Sequence, residues 1–431
     1  MKRIAAIVMT YSVLAIGYAQ TPTPGIKNQK KILIRYAIAH VGNGQRIDNA
    51  YLAFQGDEIT LLADGENTRV NILDYDSIID ADGKHIYPGF ILMDSRLGLT
   101  EIGAVRATHD FQETGRYNPN VRALPAFNSE SKVISTVRTN GVLMAQIAPK
   151  GGVLSGTSAA VHFDGWHWQD AAIREDGVYL NWPSRYRYQG WWAEPGQAKG
   201  NKKYQKELRE IRDFFRDAEY YNEDSAHTKR NLKMESMKGL FDGNGRLYIR
   251  VNWAKDILDA IQFCRSAGVK NVAIVGGAEA HLVTTELKEN NIPVIIDRVH
   301  KLPAHADDPL HLPYELASLL VKAGVEVAFA TSGDMEAMIS RNLPFQVGTA
   351  VHHGLDYETA IKSITLVPAT LMGIEEDYGT IESGKKATFF ISSGDALDIT
   401  TNKIESAFIE GKAINLWNHQ MELYKKYSKK P

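Results

Sequence analysis

Two charged residues close an otherwise apolar run. In Tyr87-Pro88-Gly89-Phe90-Ile91-Leu92-Met93-Asp94-Ser95-Arg96-Leu97-Gly98-Leu99 a Pro-Gly turn precedes Phe90 to Met93, and polar groups come only at the far end. The run reads as a short strand buried on both faces. Side chains two apart on a strand point the same way, so Asp94 and Arg96 are expected to aim into one space while Ser95 turns away. A carboxylate beside a guanidinium can form an ion pair or grip a polar ligand. The guanidinium is no metal ligand, because it has no lone pair to offer and repels a cation.

The other residue types that do chemistry are scattered. Thirteen histidines include no His-x-His or His-x-x-x-His pair of the zinc type. His352-His353 falls in a helix, where adjacent side chains diverge, and reads as surface; His281 at a helix turn reads as exposed or packed. His300 lies just past a strand end, where a structural hydrogen bond is its first role and ligation or proton transfer its second. The single cysteine, Cys264, excludes an intramolecular disulfide and shares a helical face with Ile257, Leu258 and Ile261, which makes it core. Gly151-Gly152-Val153-Leu154-Ser155-Gly156 lacks the surrounding strand-turn-helix unit of a dinucleotide fingerprint.

These residues must be held by two kinds of element. Ile32 to Val41, Ala50 to Phe54 and Ile59 to Ala63 are apolar or alternating runs parted by Gly42-Asn43-Gly44 and Gly56-Asp57, the pattern of hairpins. Short strands return at Ala387 to Ile391, Ala407 to Ile409 and Ala413 to Asn415. Between the two β-rich ends, strand and helix alternate: strand Leu247 to Asn252, helix Ala254 to Ala267, strand Asn271 to Val275, helix Glu279 to Lys288, strand Pro293 to Val299, helix Pro313 to Ala323, strand Val325 to Thr331. With Phe90 to Asp94, Val142 to Ile147, Ala159 to Phe163 and Gly177 to Asn181 there are eight strand candidates, and a (β/α)8 barrel is the natural closure. The third candidate is the weakest, since its glycines also suit a side hairpin. In such a barrel the chemistry sits at the C-terminal strand ends.

A chain of 431 residues with 44% hydrophobic content can bury a large core and has room for one large and one smaller domain. Residues 1–19 open with Lys2 and Arg3, continue apolar from Ile4 to Ile16 and end Gly17-Tyr18-Ala19, the pattern of a secretory signal cleaved before Gln20. The expected compartment is therefore secreted or periplasmic, with no membrane span after signal removal, since the apolar run is short for one. Loss of Lys2 and Arg3 takes the formal net charge from -2 to -4, a balance that argues against nucleic acid as a partner.

The stretch Tyr87 to Leu99 resembles the first barrel strand of the amidohydrolase superfamily, in the secreted branch similar to imidazolonepropionases, where Pro-Gly-Phe-Ile leads into a metal-binding His-x-His pair. Here those two positions hold Asp94 and Arg96. Phe329-Ala330-Thr331-Ser332-Gly333-Asp334, followed by Arg341-Asn342-Leu343-Pro344-Phe345, resembles strand eight and makes Asp334 the equivalent of the family's general base; a turn or cap aspartate is the alternative. By the same resemblance the family's strand-five histidine falls on Arg250, its strand-six histidine on Gly276, and strand four, Gly177 to Pro183, offers no lysine.

The resemblance implies a TIM-like (β/α)8 barrel over residues 87–375 and a composite β-sandwich made by 27–86 with 376–417. It implies hydrolysis of a C–N bond in a cyclic amide, acylated amino acid or peptide-like small molecule. Asp334 is the expected catalytic residue, and Asp94, Arg96, Arg250, Asn252 and His300 the expected substrate-binding residues. No cofactor is expected from these residues, whereas zinc or another divalent metal is what the family frame would bring. Arg96 and Arg250 are expected to fill the metal cavity and pair with Asp94 and Asp334, since buried charges must be neutralised. The alternative is a catalytically inactive relative that binds a small molecule or serves, as a homo-oligomer or with an active homologue, as a structural partner.

Two insertions complete the reading. Residues 99–130 form a long connection containing Arg106, His109, Asp110, Arg116 and Arg122, and such loops are commonly functional. Residues 197–237 are charged and are expected to form two exposed helices. Trp166, Trp168, Trp182, Tyr186, Tyr188, Trp191 and Trp192 fall just before it and are expected near the barrel mouth, as lid packing first and as a ligand-stacking wall second.

Overall fold

The computed structural model describes residues 23–188, 196–223, 229–333 and 335–430. One sheet takes strands from both ends of the chain: Lys31–His40, Arg46–Gln55, Glu58–Asp64, Ser77–Asp80 and His85–Pro88 from the first part, with Phe389–Ser392, Ile404–Ile409 and Lys412–Ala413 from the last. Gly42, Gly44 and Gly56 take positive φ in the connections between the first three strands, where a side chain would be strained. His85–Pro88 lies between Lys31–His40, parallel to it, and Phe389–Ser392, antiparallel to it. The rings of Phe54, Phe389 and Phe408 meet with centroids 5.0 to 5.5 Å apart and join the two contributions in one core.

Gly89 passes the chain from this sheet into the barrel. Its amide donates to the Thr388 carbonyl, and a Cβ there would stand 3.0 Å from Leu143 Cβ, so the junction is tight enough to favour glycine. The barrel strands are β1 (Phe90–Ser95), β2 (Val142–Ile147), β3 (Leu154–His162), β4 (Ala172–Asn181), β5 (Arg246–Val251), β6 (Val272–Gly276), β7 (Val294–Ile296) and β8 (Val327–Phe329). They form one sheet in that order, and a parallel bridge between Met93 and Ala330 brings β8 back to β1, so the barrel is nearly closed.

One strand departs from the repeating pattern. β3 runs antiparallel to both β2 and β4, whereas the other neighbours are parallel. The connections 148–153 and 163–171 are the reason. Parallel strands need a crossover of about a dozen residues or more, and these segments are shorter, so the chain must turn back on itself.

The barrel is filled rather than hollow. Ile91, Met93, Met144, Tyr179, Tyr248 and Ile295 are buried in one interior cluster, which continues into Val367, Leu371 and Met372 of the helix Leu366–Met372 at the N-terminal end of the strands. Outside, the helix Ala254–Ser266 buries Ile257, Ile261 and Cys264, and Glu279 accepts its first amide, from Ala254, at 2.7 Å. Burial pushes the Cys264 thiol pKa up, consistent with a core residue.

The charged insertion is not simply a solvated face. It forms the 20-residue helix Tyr204–Glu223 and the short helix Leu232–Glu235, and the former buries Tyr204, Leu208, Ile211, Phe215 and Ala218. Those positions recur at helical spacing, so the charges occupy the outer side of an amphipathic helix packed on the barrel. Among the described residues, no helix is long and apolar enough to cross a membrane.

Candidate functional site

The C-terminal end of β1 carries the centre of the site. Asp94 is 1% exposed and takes φ 48°, a left-handed conformation that costs an aspartate on the order of 1 kcal/mol unless its surroundings hold it. They do. Arg250 Nη2 from β5 donates to Oδ1 at 2.6 Å; Lys150 Nζ, from the turn between β2 and β3, reaches Oδ2 at 2.7 Å; and the Ser332 hydroxyl beyond β8 donates to the same oxygen at 2.6 Å. Burial alone would raise the Asp94 carboxyl, but the Arg250 and Lys150 charges outweigh it and hold the pKa well below the usual carboxylate range. Burial, and then the neighbouring Arg250 charge, push the Lys150 ammonium pKa down.

The left-handed turn at Asp94 changes where Arg96 goes. Of the two arginines expected to pair with Asp94 and Asp334, Arg250 takes Asp94 and Arg96 turns to Glu336: Arg96 Nε donates to Glu336 Oε2 at 2.9 Å, its amide donates to Oε1 at 2.5 Å, and Nη2 donates to the Gly333 carbonyl at 2.9 Å. Alternation from Asp94 to Arg96 holds only for regular strand, and a residue at positive φ breaks it. Glu336 is 2% exposed, and burial raises its carboxyl pKa while Lys150 and Arg96 pull against the rise. The Phe111 ring lies 4.9 Å from the Arg96 guanidinium, and the Phe111 carbonyl accepts the Lys150 amide at 2.7 Å. The long connection after β1 therefore braces the site.

Arg250 is clamped on several sides. It also donates to the Pro149 carbonyl at 2.9 Å and to Asn181 Oδ1 at 3.3 Å, and it lies 4.1 Å from the centre of the Tyr179 ring. Below it runs a second polar layer inside the barrel. Gln146 accepts the Tyr179 hydroxyl at 2.5 Å and donates to Asp176 at 2.5 Å; Ser158 and Tyr248 donate to Asp176 at 2.9 and 2.6 Å. Burial raises the Asp176 carboxyl pKa, against the pull of those hydrogen bonds.

Asn252 and His300 bond to other parts of the chain. Asn252 is exposed and closes a turn, its carbonyl taking the Glu279 amide at 2.9 Å. Its Oδ1 also lies 2.4 Å from where a Cβ on Gly276 would be, so the strand-six position has no room for a side chain unless Asn252 moves. His300 Nε2 bonds Thr349 Oγ1 at 2.7 Å, towards the helix Leu343–His352, and burial lowers its pKa. Asp334, Trp191, Trp192 and residues 1–19 lie outside the described residues.

The tryptophans do not make one wall. Because β3 runs backwards, the turn after it lies at the opposite end of the barrel from Asp94; Trp166 there is 56% exposed, and Trp168 packs against the core. Trp182 is buried, with its Nε1 donating to the Tyr204 hydroxyl at 3.4 Å and its ring beside Phe263.

Lys150, Ser332 and Glu336 were not singled out in the sequence. Each sits in a connection, with no periodic signal to mark it; Gln146, inside the apolar β2, was the visible irregularity. The donor chemistry of this cluster does not suit a divalent metal. Both Asp94 oxygens are held by cationic side chains, and among the described residues no group of three His, Cys, Asp or Glu could hold an ion.

Residues 217–415 match the model of the Amidohydrolase family. An imidazolonepropionase of Flavobacterium psychrophilum is 35% identical over 112 residues, and one of Flavobacterium johnsoniae 33% identical over 112 residues. Over these stretches the chain is similar to the amidohydrolase superfamily. Each of those stretches covers 24% of this chain, and the chain spans about a quarter of the length of these relatives, 27%. The amidohydrolase frame extends further in three dimensions. An amidohydrolase from Thermotoga maritima MSB8 superposes with a TM-score of 0.74 at 23% identity, covering 89% of this chain and 99% of its own. A molinate hydrolase superposes with a TM-score of 0.56 at 13% identity, covering 91% of this chain and 96% of its own. These likenesses bear on fold: the barrel and the sheet shared by both chain ends are amidohydrolase architecture.

Proposed function

We propose that this protein is a member of the amidohydrolase superfamily that hydrolyses a carbon–nitrogen bond in a small amide-like molecule at the barrel mouth, using its own side chains in place of a metal. The observation that carries the reading is a pair of buried carboxylates with opposite tendencies at the C-terminal strand ends: Asp94, held ionised by Arg250 and Lys150, and Glu336, whose proton affinity is raised by burial. Two carboxyls pushed apart in this way divide the work of a site. The family match and the imidazolonepropionase relatives support the bond class.

In this scheme Asp94 fixes the Lys150 and Arg250 cations, which donate to the substrate carbonyl oxygen as it gains negative charge. Glu336 accepts a proton from the attacking water and returns it to the departing nitrogen. Water adds to the carbonyl carbon, the C–N bond breaks, and an acid and an amine leave. The Asp94 turn, the Phe111 brace and the Tyr179 ring hold these groups in place.

A second reading has its own observation. Every carboxylate oxygen of Asp94 and Glu336 already accepts a hydrogen bond from the protein, which suits a binding protein with no turnover. One experiment separates them. The purified protein, assayed for metal content and for amine release from cyclic amides and N-acylated amino acids, is expected to turn over substrate without stoichiometric metal and to lose that activity on Glu336→Gln. A ligand that raises the melting temperature with no amine released would favour the binding reading; stoichiometric zinc with zinc-dependent turnover would overturn the metal-free mechanism. Export belongs to the same proposal and is supported by the basic-then-apolar pattern of residues 1–19.

A further inference from the structure

The last helix of the chain, His419–Tyr427, buries none of its residues. Asn418 caps it, accepting the Met421 amide at 2.9 Å, and Gln420 ties it to the barrel layer by accepting the Thr136 hydroxyl at 2.8 Å. Beyond that tie it presents an uncovered apolar side. Met421, Tyr424 and Tyr427 follow one another at helical spacing and are 41%, 77% and 60% exposed; Leu423 flanks them, and Trp417 precedes the helix at 42% exposed.

Lysines occupy the other side. Lys425, Lys426, Lys429 and Lys430 crowd the end of the helix and the residues after it, against the single acid Glu422, in a chain whose formal net charge is -2. Lys425 Nζ lies 5.6 Å from the Trp417 ring and Lys426 Nζ 5.2 Å from the Tyr427 ring, so the ammonium groups rim the aromatic face. A mainly apolar cavity of about 170 Å³, lined by Val133, Ala337, Met338, His419 and Gln420, carries the surface on towards Met338, itself 60% exposed.

Aromatic and aliphatic side chains on one face with ammonium groups along the boundary match the interface of a bilayer, where rings sit at headgroup depth and lysines reach the phosphates. We propose that this helix docks the protein peripherally on an anionic lipid surface. Charge decides the occupant. A second copy brings to this helix only the acid Glu422 against four lysines, whereas an anionic surface neutralises them all.

The test uses the full chain with vesicles of phosphatidylglycerol and phosphatidylcholine, and with vesicles of phosphatidylcholine alone, read by co-sedimentation. Binding to the anionic vesicles alone, weakened as salt is raised, is expected. Lys425→Gln with Lys426→Gln should lower the partition coefficient by about twenty-five-fold, at roughly fivefold per lysine. Tyr424→Ser with Tyr427→Ser should lower it at unchanged charge. All four positions lie on an exposed helix, so thermal unfolding of both variants is expected to match the parent, which separates lost docking from lost folding. Equal binding to both vesicle types, no binding to either, or binding indifferent to both variants would overturn the proposal. So would a homodimer abolished by the tyrosine variant, or saturable binding of an acidic protein to this helix without any affinity for vesicles.

Discussion

Arg250 reaches across the barrel from β5 to place its Nη2 2.6 Å from Oδ1 of Asp94 on β1. The two strands lie on different sides of the sheet order, so this pair ties together walls that share no backbone hydrogen bonds. Removing one partner leaves an uncompensated buried charge, which is worse than never having had the pair. Asp94→Ala is therefore expected to destabilise the protein by about 3 to 5 kcal/mol in urea unfolding. A loss below about 1 kcal/mol would mean that water already screens the cluster.

Glu336→Gln keeps the shape of the side chain and removes its basicity. Hydrolysis is expected to fall by roughly 10²- to 10⁴-fold, the usual contribution of a positioned base. In the parent the acid limb of kcat/KM against pH should lie above the ordinary glutamate value of 4.5, because the folded pKa is raised and the base must be unprotonated to act. A limb at or below that value would exclude Glu336 as the base.

A chelator is expected to leave both the melting temperature and the rate unchanged, and added zinc is expected to bind no tighter than to an unrelated acidic protein. Isothermal titration checks this directly. Guanidinium and ammonium groups occupy the Asp94 oxygens that a metal would need.

Gly276→Ala puts a Cβ 2.4 Å from Asn252 Oδ1 and forces a side chain onto φ 97°. The expected cost is about 1 to 3 kcal/mol by thermal or urea unfolding. Gly276→His, which puts at that strand end the histidine the sequence resemblance leads one to expect there, is expected to cost at least as much and to recruit no zinc. Zinc binding by that variant would show that this strand end can still hold a metal.

Acid should weaken the joint between sheet and barrel. His40 Nε2 and His85 Nδ1 lie 3.0 Å apart, and His40 Nδ1 is 2.7 Å from Glu358 of the barrel's outer layer. Burial and then His40 lower the His85 pKa below its ordinary 6.5, so the unfolded chain binds the proton more readily than the folded one. Stability is fully present above about 6.5 and is lost as pH falls from there through the folded value. The melting temperature is expected to drop between pH 7 and pH 5 by a larger step in the parent than in His85→Phe; equal steps would assign the loss to other groups.

Legibility in the sequence followed periodicity. The strands and helices from Leu247 to Lys322 could be placed because apolar spacing and glycine stops mark them, and the turn from Pro88 to Phe90 announced the first barrel strand. The direction of β3 was hidden, since direction depends on the length of connections whose ends were themselves uncertain. Arg250 was legible at its strand end. Lys150, Ser332 and Glu336 were not, because residues in connections acquire neighbours only when the whole barrel closes. Arg96 illustrates the local limit: a positive φ at one residue redirected a side chain that alternation had aimed elsewhere.

The position of His85–Pro88 between strands from both ends of the chain bears on the order of events during synthesis. As the polypeptide emerges with its N-terminal part first, this strand can find Lys31–His40 at once, but its other neighbour, Phe389–Ser392, emerges only after the entire barrel. Until then the nascent sheet carries an open edge, able to pair with the wrong strand or the wrong molecule. Interrupted translation before that late strand would thus release a product with an unsatisfied edge, a natural target for chaperones and proteases.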